Sequence, residues 1–376
     1  MSSREEICRR VSEKLTAAIP TLPSVRATIG LDGFVDEIIA VVEKREGFER
    51  YEPVPTIARF GQKITAAAGQ SSNYELVVRQ TKLGGNGPIM AHALAAAGVN
   101  VTCVGALGYP QMHPVFQPLA DNATVVSIAD AAHTDALEFG DGKLMLGKLS
   151  PLNELTWENI VARVGRGRLQ QLVDESHLFG FVNWTMISHM SDVWERLRTE
   201  VFPRAPKARR HFFVDLADPE KRTHADIRAA LEILTKFDGQ ADVTLGLNLK
   251  EAAEIADVLG LAKPADPDAA IEETARQIRA AMDVHCVVVH PRKGAAAATA
   301  EESATFYGPF VDRPKISTGA GDHFNAGFAL GRTLGFSIVE SLCTGVATSG
   351  YYVRTAESPS AEKLAAFIRD LPPPQG

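Results

Sequence analysis

Short apolar runs recur along the chain, each followed by a longer stretch of helical period, and this alternation constrains the architecture more than any other feature of the sequence. The runs at 27–29, 99–105, 177–182, 211–216, 243–247 and 284–290 read as buried parallel strands. Between them the spacing predicts helices over 88–97, 157–173, 192–202, 224–237, 251–259 and 268–282, three more beginning near Asp322, Ser337 and Ser360, and an amphipathic helix over 1–15. The expected fold class is α/β: a Rossmann-like, doubly wound, mostly parallel sheet covered on both faces. Two segments, about 51–82 and 123–149, break the rhythm and resemble antiparallel strands; 74–81 alternates, and 137–145 reads as a hairpin with Asp141-Gly142 at its turn. They predict a small β-sheet lid on a single domain spanning 1–376.

Charge argues against one class of partner. Lys plus Arg is 39 and Asp plus Glu is 46, a net charge of −7, with the basic residues dispersed, which argues against nucleic acid. The densest basic stretch, 204–210, reads as a solvated loop. Cys8, Cys103, Cys286 and Cys343 lie far apart with no CxxC pair, so reduced, buried thiols are expected. No apolar stretch approaches the roughly 20 residues that a membrane span needs, and a cytoplasmic protein with no membrane partner is the expectation.

The chemistry concentrates in Ser317-Thr-Gly-Ala-Gly-Asp-His-Phe-Asn-Ala-Gly327, a glycine-rich turn running into a helical pattern. A helix amino terminus presents unpaired N–H groups and partial positive charge, and Gly319 and Gly321 let that backbone approach an anion. Asp322 has two readings on local sequence: a base aimed at the group that attacks a phosphate, or a plain helix N-cap. In Gly30-Leu-Asp-Gly-Phe-Val-Asp36, Asp32 and Asp36 follow the first strand, at the crevice where α/β sheets bind ligands; Asp32 fits either a ligand contact or a turn. Asn248-Leu-Lys-Glu251 by itself is a strand-to-helix junction with a carboxylate at the helix start.

Gly319-Ala-Gly-Asp-His-Phe324 resembles the GAGDxF signature of the ribokinase/PfkB carbohydrate kinase family. Gly84-Gly-Asn-Gly87 resembles that family's amino-terminal glycine motif and Asn248-Leu-Lys-Glu251 its NxxE motif, in the same order along the chain. The resemblance implies transfer of the γ-phosphoryl group of ATP, with Mg²⁺, to an alcohol group of a sugar or sugar-like small molecule. Asp322 would be the general base, and Gly319, Ala320 and Gly321 the anion hole. Asp32, Asp36, Gly84, Gly85, Asn86 and Asn183 would meet the acceptor, Thr318, Arg292 and Lys293 the nucleotide, and Asn248 and Glu251 the metal through water. Both glycines are expected to lie where a side chain would collide with substrate. Absence of a GxxxxGK[ST] loop fits, since such kinases lack a Walker motif.

Three positions depart from the family pattern. Ile316 replaces an Asp tied to a monovalent cation, Ile89 replaces an Asn that contacts the sugar, and His290-Pro-Arg-Lys-Gly294 replaces a Thr/Gly-rich nucleotide loop, where Arg292 and Lys293 read equally as phosphate contacts or a solvated turn. An alternative from another class is a catalytically silent sugar- or nucleotide-binding sensor with a kinase fold. The exposed edge of a lid sheet also suggests a homodimer formed through the lid.

Overall fold

The computed structural model describes residues 3–204 and 210–375. In chain order the strands are β1 (Arg26–Leu31), β2 (Phe34–Arg45), β3 (Tyr51–Pro53), β4 (Leu76–Gly84), β5 (Asn100–Gly105), β6 (Thr124–Ser127), β7 (Ala132–Phe139), β8 (Gly142–Lys148), β9 (Leu178–Phe181), β10 (His211–Asp215), β11 (Asp242–Leu247), β12 (Cys286–Val289), β13 (Gly294–Ala298) and β14 (Ser303–Tyr307). Nine of them form one sheet in the order β14-β13-β12-β11-β10-β9-β1-β5-β6. From β6 to β12 all neighbours are parallel, and β13 and β14 close the far edge antiparallel. The chain leaves β1 towards β5 and β6, then returns to lay β9 on the other side of β1. Strand order therefore reverses between β1 and β9, the place where open α/β sheets bind ligands.

Strand residues alternate between two cores, one on each face. Phe179, Phe181, Phe212 and Val214 pack with the helices Trp157–Val164, Arg166–Glu175, His224–Thr235 and Ile271–Met282. Ile29, Cys103, Phe213 and Val288 pack with Arg4–Ala18, Asn86–Ala96, Ala320–Thr333 and Ile338–Thr355. Each of the six predicted apolar runs contributes a strand to this sheet. The expected 157–173 helix is broken, because Gly165 takes φ 87 and ends one helix before the next begins.

The lid differs from expectation in three ways. Its central strand is β2, which pairs with β3, β4 and β7 and lies outside both predicted segments. Residues 57–66 form a helix whose Phe60 fills a small core with Ile39, Val41, Val54 and Leu137. Residues 124–127 pair with β5 in the main sheet, so the second segment is divided between the two sheets. The β7–β8 hairpin turns at Gly140-Asp141, one residue earlier than predicted, since Phe139 pairs with Gly142. Of the basic stretch 204–210, residues 205–209 lie outside the described residues, and Arg210 is buried rather than solvated. All four cysteines are free and buried. Among the described residues no helix is long and apolar enough to cross a membrane.

Candidate active site

The carboxyl ends of the central strands converge on one crevice. Asp32 follows β1, Asn183 lies just beyond β9, Asp215 closes β10, Asn248 follows β11 and His290 follows β12. Two helix amino termini, those of Asn86–Ala96 and Ala320–Thr333, enter the same space.

Asp32 is fully buried and caps the first of these helices, accepting hydrogen bonds from the Asn86 N–H (2.9 Å), the Gly87 N–H (2.7 Å) and Asn183 Nδ2 (2.8 Å). A carboxylate here satisfies orphan helix donors and the helix dipole together. The glycines make the approach possible. A Cβ on Gly84 would stand 2.3 Å from Asp36 Cγ, and one on Gly87 would stand 2.8 Å from Asp32 Oδ1, so the first collision is with the protein's own carboxylates. Gly85 adds a φ of 97, which side chains rarely adopt.

Asn86 ties the two ends of the site together. Its N–H serves Asp32 while its Nδ2 donates to Asp322 Oδ1 at 2.8 Å. Burial is the main force on both acids: Asp32 is pushed up to about 6 and Asp322 to about 8. Asp36, on lid strand β2, is likewise raised by burial, opposed by Lys82, the Thr134 hydroxyl and Lys143.

A second acidic pair lies alongside. Asp215 accepts from Asn325 Nδ2 (2.7 Å) and the Ala217 N–H (2.9 Å), and is raised by burial and then by the charge of Asp322. Glu251 accepts from the Asn248 N–H (2.8 Å) and the Asp218 N–H (2.9 Å), while the Asn248 side chain caps the Glu251 N–H at 3.0 Å. This is a complete capping box, so the structural reading of that motif holds. Burial, then the charge of Asp215, raises Glu251 as well. Among the described residues no group of three or more His, Cys, Asp or Glu is arranged to hold a metal ion.

The 317–322 turn is built for close approach. Gly319 takes φ 89 as the cap of its helix, facing Ile89 and the Tyr352 hydroxyl. The Ala320 N–H turns back onto Ser317 O at 3.2 Å; among the described residues the Gly319 and Gly321 N–H groups keep no partner. Behind the turn, Gly319 O accepts from His323 Nδ1 (2.7 Å), whose Nε2 meets Ser358 Oγ (2.8 Å), which in turn meets His92 Nδ1 (3.1 Å). Burial holds His323 near 4, so it is neutral. A carbonyl only accepts, so Nδ1 carries the proton, Ser358 donates to Nε2 and His92 Nδ1 donates to Ser358. His323 also stacks on Tyr352 at 3.6 Å, and Tyr352 donates to Thr318 O at 3.0 Å.

The structure thus gathers Asp32, Asp36, Asn86, Asn183 and Asp322, with Thr318–Gly321 beside them. Arg292 and Lys293 are exposed on the turn joining β12 and β13. Sequence reasoning missed Asp215, which ends an apolar strand just as Asp32 follows one and was findable by the same rule. It also missed Lys82, Lys143, Asn325 and Ser358, whose places depend on tertiary packing.

The raised carboxyls and the lowered histidines fix a sign. Acids whose pKa rises on folding favour the fold when protonated, a benefit lost as pH climbs towards about 8. His323 and His290, both lowered to about 4 by burial, favour the fold when neutral and act only below their ordinary 6.5. The ligand-free protein should therefore melt at a higher temperature at pH 6.5 than at pH 8.5, with a smaller difference in Asp322→Asn, by scanning calorimetry. A flat or rising profile would show that these acids are ionised in the fold.

A family profile described as prokaryotic ketohexokinase matches residues 4–371. A ketohexokinase of Haloferax volcanii is 30% identical over 373 residues, covering 98% of this chain and 97% of that protein. Solved structures with the same fold include a ribokinase of Thermotoga maritima (TM-score 0.61, 17% identity, 92% of this chain and 99% of that one). Another is Arabidopsis thaliana ribokinase complexed with ribose and ATP (TM-score 0.62, 15% identity, 92% and 98%).

Proposed function

The chain belongs to the prokaryotic ketohexokinase family and is a carbohydrate kinase, and from that premise we propose that it moves the γ-phosphoryl group of ATP to a hydroxyl of a ketohexose, with Asp322 as general base. The observation that carries the base assignment is the position of Asp322. It is buried in the first turn of a helix, beside the Gly319 and Gly321 N–H groups, which have no partner among the described residues, and Asn86 fixes one of its oxygens.

In this reading the acceptor hydroxyl lies against Asp322 and gives it a proton while its oxygen attacks the γ-phosphorus. The bond to the β-phosphate oxygen breaks, and ADP leaves. Gly319 and Gly321 donate to the phosphoryl oxygens, with Ala320 joining when its long contact to Ser317 opens. Asp36 and Asp32 accept from sugar hydroxyls, Asn183 orients Asp32, and Ile89 gives the pocket an apolar wall. Thr318 lies towards the nucleotide, and Arg292 and Lys293 reach for it from their turn.

Asp322 holds its proton at neutral pH in the ligand-free site, because burial raises it to about 8. It becomes a base only when positive charge arrives. Bound Mg²⁺ would supply such charge, and the raised acids Asp215 and Glu251, the second pushed up in part by the charge of the first, fit a divalent cation nearby. Both Glu251 oxygens already accept backbone N–H bonds, so Asn248 and Glu251 would hold the ion through its water, as Mg²⁺ commonly allows.

The lid also concentrates exposed apolar residues, among them Phe48, Leu76, Val78, Met145 and Leu146. A second copy of the chain packing lid to lid would cover them. Sedimentation should give a dimer at micromolar concentration; a monomer removes the dimer and leaves the kinase intact.

Assays of ATP-dependent phosphorylation against ketohexoses, aldoses, sugar acids and nucleosides should show D-fructose or another ketohexose as the preferred acceptor. Asp322→Asn should lower kcat by roughly 10²–10⁴-fold with little change in ATP affinity, the usual worth of a positioned base. Near-normal turnover in that variant would end the assignment. Glu251→Gln should raise the Mg²⁺ concentration needed for half-maximal rate more than it raises the sugar KM, and unchanged Mg²⁺ dependence would place the ion elsewhere.

A further inference from the structure

Glycine gives the 317–322 turn its close approach and leaves it free to turn the wrong way. Gly319 has φ 89 and ψ 0, and a flip of either peptide plane beside it would aim a carbonyl oxygen, the negative end of a dipole, at an incoming phosphoryl group. In a trans peptide the C=O and N–H point in opposite directions, so a donor that holds the carbonyl from behind aims the N–H forward. Two side chains do this on successive planes. The Tyr352 hydroxyl donates to Thr318 O at 3.0 Å and so directs the Gly319 N–H. His323 Nδ1 donates to Gly319 O at 2.7 Å and so directs the Ala320 N–H, whose own bond to Ser317 O is long at 3.2 Å.

The two donors form one unit. Their rings stack at 3.6 Å with planes 13° apart. Neither changes its protonation at neutral pH: burial lowers His323 to about 4 and pushes Tyr352 up to about 12, with the charges of Asp322 and Asp36 adding to the second. His323 Nε2 accepts from Ser358, and Ser358 accepts from His92 Nδ1, which leaves Nδ1 as the protonated nitrogen of His323. His92 lies on the helix Asn86–Ala96, whose first residue fixes Asp322, so one helix steadies both the acid and the turn.

We propose that His323 and Tyr352 are positioning residues for phosphoryl transfer, paired donors that lock the two peptide planes on either side of Gly319 with their N–H groups facing the transferring group. Both act through the backbone and touch neither acceptor nor nucleotide, so they set kcat and leave ground-state binding alone. Preorganised donors stabilise developing charge because they need not turn at the moment of reaction, and a glycine turn has that property only when something outside it fixes its planes. The inference rests on the kinase reading given above and adds to it the side chains that hold its anion hole in shape.

The test compares Tyr352→Phe, His323→Ala and His323→Asn with wild type, using MgATP and D-fructose. Tyr352→Phe keeps the stacked ring and removes one hydroxyl; it should lower kcat roughly 3–10-fold, the worth of a neutral hydrogen bond, while sugar KM and MgADP affinity stay within about twofold. His323→Ala should lose roughly 10–10²-fold, short of the 10²–10³-fold for deleting an anion-hole donor outright, and His323→Asn, which keeps a donor near the Nδ1 place, should recover part of it. Affinity for MgADP with aluminium fluoride should fall by the same factors as kcat. In the ligand-free protein, the carbonyl carbon signal of Thr318 should move in Tyr352→Phe and that of Gly319 in His323→Ala, by NMR. Wild-type kcat in Tyr352→Phe and His323→Ala, or a loss confined to sugar KM or to melting temperature, would overturn the proposal. The carbonyl signals need no acceptor: unmoved signals count against the two donors, whereas a wild type that phosphorylates no ketohexose counts against the acceptor reading alone.

Discussion

The hydrogen bonds that Asn86 makes to two buried acids organise everything around them. One residue donates its N–H to Asp32 and its Nδ2 to Asp322, so the amino termini of two helices are locked to a common point at the end of the sheet. The glycines of 84–87 are required by the same contacts, since side chains there would strike Asp36 or Asp32. The reversal of strand order between β1 and β9 then leaves the crevice open above this point.

Such a site is held against its own electrostatics. Water would keep these carboxyls ionised; burial raises Asp32, Asp215, Glu251 and Asp322 together, and each worsens the next. Neutral donors such as Asn86, Asn183, Asn325 and backbone N–H groups offset part of the cost. The same burial weakens the empty protein as pH climbs towards about 8. The His92–Ser358–His323 chain holds the Gly319 carbonyl from behind with neutral groups, adding no charge to a crowded region.

Much of this was legible in the sequence where local rules suffice. Apolar runs gave six of the nine main-sheet strands, β1, β5 and β9 to β12, and a polar residue following such a run marked Asp32, Asn183 and Asn248 at the crevice. The glycine turn with Asp322 was legible because its chemistry is local. The lid was legible at its β4 strand and its β7–β8 hairpin but not at its centre: β2 is a long, largely buried run continuing from β1, and no local signal says that it leaves the main sheet. Lys82 and Lys143 look like surface lysines until the lid is folded over Asp36. Glu251 shows the reverse limit, since one spacing serves a capping box and a cation equally well.

As a general base Asp322 has to be a buried acid which holds its proton in the empty site and yields it when the site fills. Carbon-detected NMR titration of the Asp322 carboxyl, assigned by its loss in Asp322→Asn, tests this directly. The expected result is a pKa of about 8 in the free protein, falling by at least a unit once MgADP and D-fructose are bound together. An ordinary value near 3.8 in the free protein, or no change on binding, would contradict it.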